Sequence, residues 1–309
     1  MDEMPSTGLT LVRELRDRTE TRQQHARAAA VGTEVRIAHG VYVAREDWEP
    51  RTPLERHLLR MQAYSRTRRR PPVFSHWSAA VLHRLPLIGP VPEKLHISVG
   101  DTRGGRSARA VTAHSTVVPD ADVVSVDGLL VTALARTVVD VAATYPMVDA
   151  VAMADAALRS GVAVACLVEA WERALPFRGH RRALDVIGFA DARSESPLES
   201  VSRVSMHRSA LAPPELQMPF RDRRGRIGYV DFAWPGVGIV GEADGDVKYL
   251  DPALRGGRSA DRVVLDEKIR EDRLRALGLR VVRWRWDTAT HPPALAALLT
   301  AAGVPRCAP

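Results

Sequence analysis

The chain has 309 residues, 45% of them hydrophobic, enough to bury a sizeable core and to form two or three domains. Its two cysteines, Cys166 and Cys307, support neither a disulfide framework nor a cysteine-ligated zinc site, and its ten histidines show no paired metal-ligand spacing. The sequence has neither an apolar run of membrane-spanning length nor a basic start followed by an apolar segment, so a cytoplasmic protein is expected; its net charge of +7 rests on 41 arginines against 3 lysines, which a GC-rich genome explains as simply as nucleic-acid binding does.

Residues 1–70 open with a helical stretch around Leu9 to Ala30, in which Leu11, Val12 and Leu15 form a partial apolar stripe. A strand signal at Val35 to Val43, broken by Gly40, follows. Thr52-Pro53-Leu54-Glu55 has the form of a helix start: Thr52 as N-cap, Pro53 at the first position and Glu55 closing a capping box. That helix runs into Arg66-Thr67-Arg68-Arg69-Arg70. Helix, strand and basic run together are compatible with a winged-helix-like DNA-binding region in which Arg68, Arg69 and Arg70 touch phosphates, and equally with a solvated face and a linker.

Residues 71–191 start with a short helix at Ser75 to His83. Strands follow at Lys94 to Val99 and Val111 to Val117, separated by a Gly/Arg-rich loop, Asp101 to Arg109. The run from Val131 to Ala142 begins a helical section that continues through Met147 to Gly161 and Val164 to Leu175. His76, His83, Arg136 and Asp140 read as structural, the last two as an i, i+4 surface pair.

Residues 192–309 carry the chemistry. Ser196 and Pro197 open a helix with Glu199 in its first turn, where the glutamate of a capping box also belongs. After a strand near Leu216 to Arg221, two strand-like runs, Tyr229 to Trp234 and Gly238 to Asp244, flank the break Pro235-Gly236-Val237. A turn centred on Gly236 and Val237 pairs residues whose numbers sum to 473, so Asp231 stands opposite Glu242. Opposed like charges destabilise a sheet unless something compensates; a hard cation such as Mg²⁺ does so, and so do arginine partners. Alternation adds Asp244 to the face of Glu242 and turns Val230, Phe232 and Trp234 toward a core. Helix Asp266 to Leu277, Gly278 as its C-terminal glycine, and strand Leu279 to Trp286 complete an α/β arrangement, α+β overall.

Ser196-Pro197-Leu198-Glu199, Tyr229 to Trp234, Glu242-Ala243-Asp244-Gly245 with Lys248-Tyr249, Asp272-Arg273 and Val281-Val282-Arg283-Trp284 occur in an order that resembles very-short-patch-repair-type endonuclease domains of the PD-(D/E)XK fold. Ile37 to Val43, Phe74 to Ala80 and Gly128 to Ala142 resemble the AbiEi-family antitoxins of type IV toxin-antitoxin systems. The first resemblance implies Mg²⁺- or Mn²⁺-dependent DNA hydrolysis, with a metal on Asp231, Glu242 and Asp244, Glu199 orienting a metal-bound water or supporting the ligands from behind, and Arg273 and Arg283 on phosphate or buttressing the sheet. Where that fold usually has lysine, two residues after the second acid, this chain has Asp244, which is either an additional metal ligand, with the lysine supplied from elsewhere, or the mark of a site that has lost activity and kept its shape. Lys248 is then either the replacement or a loop lysine paired with Asp246 or Asp251. The second resemblance implies a DNA-binding regulator or antitoxin with a nucleotidyltransferase-like toxin as its partner; in that alternative the C-terminal domain retains the nuclease-like fold only for binding.

Overall fold

The computed structural model describes residues 9–11, 18–100, 110–245 and 260–307. It has the expected α+β character, with helices and mixed sheets. The chain divides into two compact units, residues 1–145 with 163–185, and residues 146–162 with 186–309. Among the described residues no helix is long and apolar enough to cross a membrane.

The first unit contains two sheets. In the smaller, β1 (Thr10–Leu11), β2 (Glu34–Ala38) and β3 (Val41–Ala44) lie in the order β1-β3-β2. Thr10 and Leu11 are therefore strand, paired antiparallel with Tyr42 and Val41, and the helix expected from Leu9 begins only at Arg18 (α1, Arg18–Val31). Val12 and Leu15 of the expected apolar stripe lie outside the described residues. After a short α2 (Arg45–Trp48), α3 (Pro53–Arg66) opens with the complete capping box read from the sequence: the Thr52 hydroxyl accepts from the Glu55 N–H, and the Glu55 carboxylate accepts from the Thr52 N–H at 2.7 Å. Its Leu59 packs with Val43 and Trp48. Arg68 stacks over Tyr64 at 4.2 Å, and Arg69 and Arg70 are exposed in the turn that follows.

The larger sheet has the order β6-β5-β4-β8-β7, from β4 (Val73–Phe74), β5 (Leu95–Val99), β6 (Val111–Ser115), β7 (Val123–Val126) and β8 (Leu129–Thr132). The Asp101 to Arg109 loop lies outside the described residues. Val131 and Thr132, expected to begin a helix, instead end the β7–β8 hairpin, and α5 (Leu134–Thr144) starts only after them. A short apolar run does not distinguish buried strand from buried helix; pairing with β4 and β7 decides it. Helices α4 (His76–Leu82) and α7 (Val164–Ala174) pack with α5.

Arg136 and Asp140 of α5 are not the surface pair expected. Arg136 is fully buried; it donates to Asp140 at 2.8 Å and to Asp122 at 3.4 Å, and Arg173 takes the other oxygen of Asp122 at 2.7 Å. Burial pushes Asp140 up to about 6, against the pull of Arg136. On the β5–β6 side His76 stacks on His114 with ring centroids 3.5 Å apart, while His96 Nδ1 meets His114 Nε2 at 3.0 Å and the Tyr145 hydroxyl at 3.1 Å. Burial lowers His96 to about 3 and His114 to about 4, so the cluster is neutral at physiological pH.

The second unit is built on a four-stranded sheet of order β12-β11-β10-β9, from β9 (Glu215–Asp222), β10 (Gly225–Trp234), β11 (Ile239–Ala243) and β12 (Arg280–Trp284). It also holds α6 (Met147–Arg159), α9 (Pro197–Arg208), α10 (Ala260–Ala276), α11 (Trp286–Ala289) and α12 (Pro292–Ala302); the boundary with the first unit cuts through α8 (His180–Phe189). β9, β10 and β11 form an antiparallel meander, and β12 returns parallel to β11. Leu274 of α10 packs with Val230, Ala233 and Val240. On the opposite side Phe232 lies against Trp284, whose indole N–H reaches Ser202 of α9 at 2.8 Å. Gly241 makes that approach possible: a Cβ there would lie 2.5 Å from the Trp284 ring. Val230 and Phe232 are both buried, as expected, yet they join different packing groups, so alternation fails between them, at Asp231.

Candidate functional site

The β10–β11 hairpin has the expected register. Phe232 pairs with Gly241, Ala233 with Val240 and Trp234 with Ile239, each summing to 473, around a 3₁₀ turn at Pro235–Val237 closed by Gly238 at φ 65°. The pairing stops one step short of Asp231 and Glu242. There the Asp231 carboxylate accepts the Ala243 N–H at 2.8 Å, so a side chain occupies the end of the ladder.

β9 is irregular at the same place. Pairs on either side, Val230 with Met218 and Phe232 with Leu216, put Gln217 opposite Asp231, and Gln217 has φ 51°. A non-glycine residue in that region is strained by about 1 kcal/mol or more and persists where its surroundings dictate it. The Gln217 amide donates to Glu199 Oε2 at 3.1 Å.

Glu199 is held by the first turn of α9. Ser196 caps that helix by accepting the Glu199 N–H, and the Glu199 carboxylate takes the Glu195 N–H at 2.8 Å where a capping box would use the Ser196 N–H. Glu199 is only 6% exposed. Burial raises its pKa, and the charge of Asp231 raises it further, so two carboxylates from different elements repel across this site.

Glu242, 5% exposed, has taken the arginine option. Arg270 of α10 donates to its Oε1, and Arg283 lies 2.9 Å from its Oε2. Burial raises the Glu242 carboxyl, while the two guanidiniums pull it back. Arg270 also donates to the Tyr229 carbonyl and lies 3.1 Å from Glu267; Arg283 contacts Glu267 and Glu271 at 2.5 and 3.2 Å and Asp244 at 3.5 Å. Carboxylates outnumber guanidiniums around this cluster.

Among the candidates read from the sequence, Glu199 and Asp231 therefore face each other at the open end of the β10–β11 ladder, while Glu242 is engaged by Arg270 and Arg283, with Asp244 against Arg283. Arg273 lies elsewhere: it clamps Asp222 with bonds of 2.7 and 2.8 Å and reaches the Gly225 and Arg226 carbonyls, bracing the β9–β10 turn and holding Asp222 down at about 2. Lys248, with Asp246 and Asp251, lies outside the described residues. Sequence reasoning missed Gln217 and Arg270. Arg270 stands one helical turn before Arg273 in a run of alternating charge, and no local signal separates the two arginines.

No family model matches the chain. It is similar to two uncharacterized proteins of Mycobacterium tuberculosis, one from strain CDC 1551 / Oshkosh and one from strain ATCC 25618 / H37Rv. Each is 34% identical over 172 residues, covering 54% of this chain and 59% of the relative. The chain thus matches somewhat over half the length of these relatives.

Among the described residues no group of three or more histidine, cysteine or carboxylate side chains is arranged to hold a metal ion. The donors are nevertheless of the right type. Glu199 and Asp231 are hard oxygen ligands whose mutual repulsion a divalent cation relieves, whereas Glu242 joins them only by giving up its arginines.

Proposed function

We infer that the second unit is a nuclease-type domain that hydrolyses DNA phosphodiester bonds with Mg²⁺ or Mn²⁺, and that the first unit contributes DNA binding. The observation carrying this reading is the approach of Glu199 and Asp231, from a helix and a strand, where the ladder opens and Gln217 is strained, with Glu242 one residue beyond the last hairpin pair. Burying acids that repel one another destabilises a fold, and such arrangements concentrate at functional sites. A cation held by Asp231 and Glu199, and by Glu242 once released, would supply an activated water and neutralise charge on the phosphate. The test is nicking or cleavage of plasmid DNA by the purified chain with Mg²⁺ or Mn²⁺. Asp231→Asn should abolish it with the circular dichroism spectrum unchanged; equal activity in wild type and variant would remove the reading.

A second reading has its own support. Both Glu242 oxygens are engaged by arginines, as suits a domain that binds DNA without turnover, in a regulator or antitoxin with a nucleotidyltransferase-like toxin. Promoter binding indifferent to both EDTA and Asp231→Asn, with no cleavage, would favour it.

A further inference from the structure

We propose that the tip of the β9–β10 hairpin is a docking arm for duplex DNA, whose phosphates Arg221, Arg223, Arg224 and Arg226 bind. This goes beyond the nuclease-type reading: it rests on DNA as the ligand and needs neither a cation nor turnover. β10 pairs with β9 from Gly225 to Ala233 but with β11 only from Phe232 to Trp234, so among the described residues the far half of the hairpin is a two-stranded ribbon. Met218, Phe220 and Ile227 fasten it to the core around Leu274, while Pro219, Arg221, Arg226 and Tyr229 are exposed. Four of the six residues from Arg221 to Arg226 are arginines, all exposed, and Asp222 is the one acid among them. That acid is already used. Arg273 holds both its oxygens, and its Oδ1 also accepts the Arg224 N–H at 2.7 Å, which shapes the turn. Among the described residues the guanidiniums of Arg221, Arg223 and Arg224 have no ion-pair partner.

The arrangement is unfavourable without an anion. Arg221 and Arg226 are direct cross-strand partners, and like charges placed so destabilise a sheet. Protecting β9 as an edge strand accounts for Pro219 and Arg221, but not for Arg223 and Arg224 in the turn or for Arg226 on the inner strand. An arginine-rich composition accounts for the number of these side chains, not for their grouping around an acid that Arg273 has neutralised. Arg226 is also held in place, its guanidinium lying 4.5 Å from the centre of the Tyr229 ring. The anion that suits such a group is phosphate, whose oxygens match the guanidinium fork and recur along a nucleic-acid backbone. Duplex DNA is the form that fits a ribbon: the major groove of B-DNA admits two strands, whereas that of A-form RNA is too deep and narrow. Asp231 follows on the same strand, about 15 Å from Arg226 by the rise per residue, so a duplex held at the tip reaches the acids of β10 within one helical turn.

The test uses the full chain and a short fluorescein-labelled DNA duplex in EDTA, at about 0.1 M salt and above. Any contribution of the first unit is common to all variants. Arg223→Gln combined with Arg224→Gln should weaken binding about tenfold or more and reduce the salt slope by about 1.8, the share of two phosphate contacts. Both side chains are exposed and the Asp222 cap uses the Arg224 backbone N–H, so the turn is kept. Arg208→Gln combined with Arg306→Gln removes the same charge from exposed positions elsewhere in the second unit and should change affinity by less than about twofold. Arg221→Gln relieves the repulsion with Arg226: it should weaken binding while the thermal midpoint stays level or rises, the reverse of what a structural arginine does. An RNA duplex of the same sequence should bind more weakly and lose less in the Arg223 and Arg224 double variant. Absence of salt-dependent duplex binding by wild type, equal losses in the two double variants, or RNA bound as tightly as DNA overturns the proposal. Loss of binding in the tip variant of a chain that does not cleave DNA with Mg²⁺ or Mn²⁺ would leave the arm standing and remove only hydrolysis; cleavage with unaltered affinity in that variant would do the reverse.

Discussion

Glu242 and Arg283 are direct partners across the parallel β11–β12 ladder, and their side chains meet at 2.9 Å. The same guanidinium serves Asp244, Glu267 and Glu271, so strand pairing holds in place a cation on which four carboxylates converge. Arg283→Ala leaves those acids facing one another around Arg270. Because the site is partly solvated, the expected loss is about 1–3 kcal/mol, below that of a fully buried pair. Arg283→Lys should recover only part of it, since a point charge cannot span several carboxylates. Urea denaturation reads both; a loss under about 0.5 kcal/mol for Arg283→Ala would mean that solvent screens the cluster.

Glu199→Gln separates helix capping from acid chemistry. The amide oxygen can still accept from the Glu195 N–H, while the charge that repels Asp231 is gone. A carboxyl whose folded pKa is raised contributes stability below its ordinary pKa and loses it as pH rises through the folded value. At pH 7 the substitution should therefore be neutral or stabilising, by up to about 1 kcal/mol, while metal-dependent cleavage disappears. A clear drop in thermal midpoint would identify Glu199 as structural.

Arg136 is the most consequential buried charge in the first unit. Arg136→Met strands Asp140 and leaves Asp122 to Arg173 alone, at an expected cost of about 3–5 kcal/mol. Adding Asp140→Leu should restore much of that, because an apolar pair fills the space without an unpaired charge. Equal stability of single and double variants in denaturant titration would contradict this account.

Acid should weaken the first unit well above the ordinary carboxylate range. His57, His96 and His114 are lowered by burial to about 4, 3 and 4. With folded values below the unfolded one, their neutral forms stabilise the fold at high pH, and stability falls once pH drops below about 6.5, by about 1.4 kcal/mol per pH unit for each. Asp140, raised to about 6, acts in the opposite sense: its share is lost as pH rises through that value. The three histidines, joined by His76 and His83, which burial lowers in the same sense, outweigh one aspartate, so the denaturation midpoint should fall between about pH 6.5 and 4. His57→Gln should reduce the slope by one histidine's share.

Short-range constraints were legible in the sequence. The Thr52–Glu55 box and the hairpin register, including Phe232 opposite Gly241, follow from spacing, turn chemistry and period-two alternation, all acting within about a dozen residues. The same local reasoning went wrong at Val131–Thr132, whose apolar run suits either element, and at Arg136–Asp140, whose spacing says they meet but not whether water reaches them. Sequence thus determined that Asp231 and Glu242 come to one end of a hairpin. Only tertiary structure decided what they face there: Arg270 arrives on a helix 28 residues beyond Glu242, Arg283 on a parallel strand that needs a crossover, and Gln217 on a strained neighbour. Ion pairs are fixed through space, and nothing in local periodicity encodes which distant charge the chain will bring back.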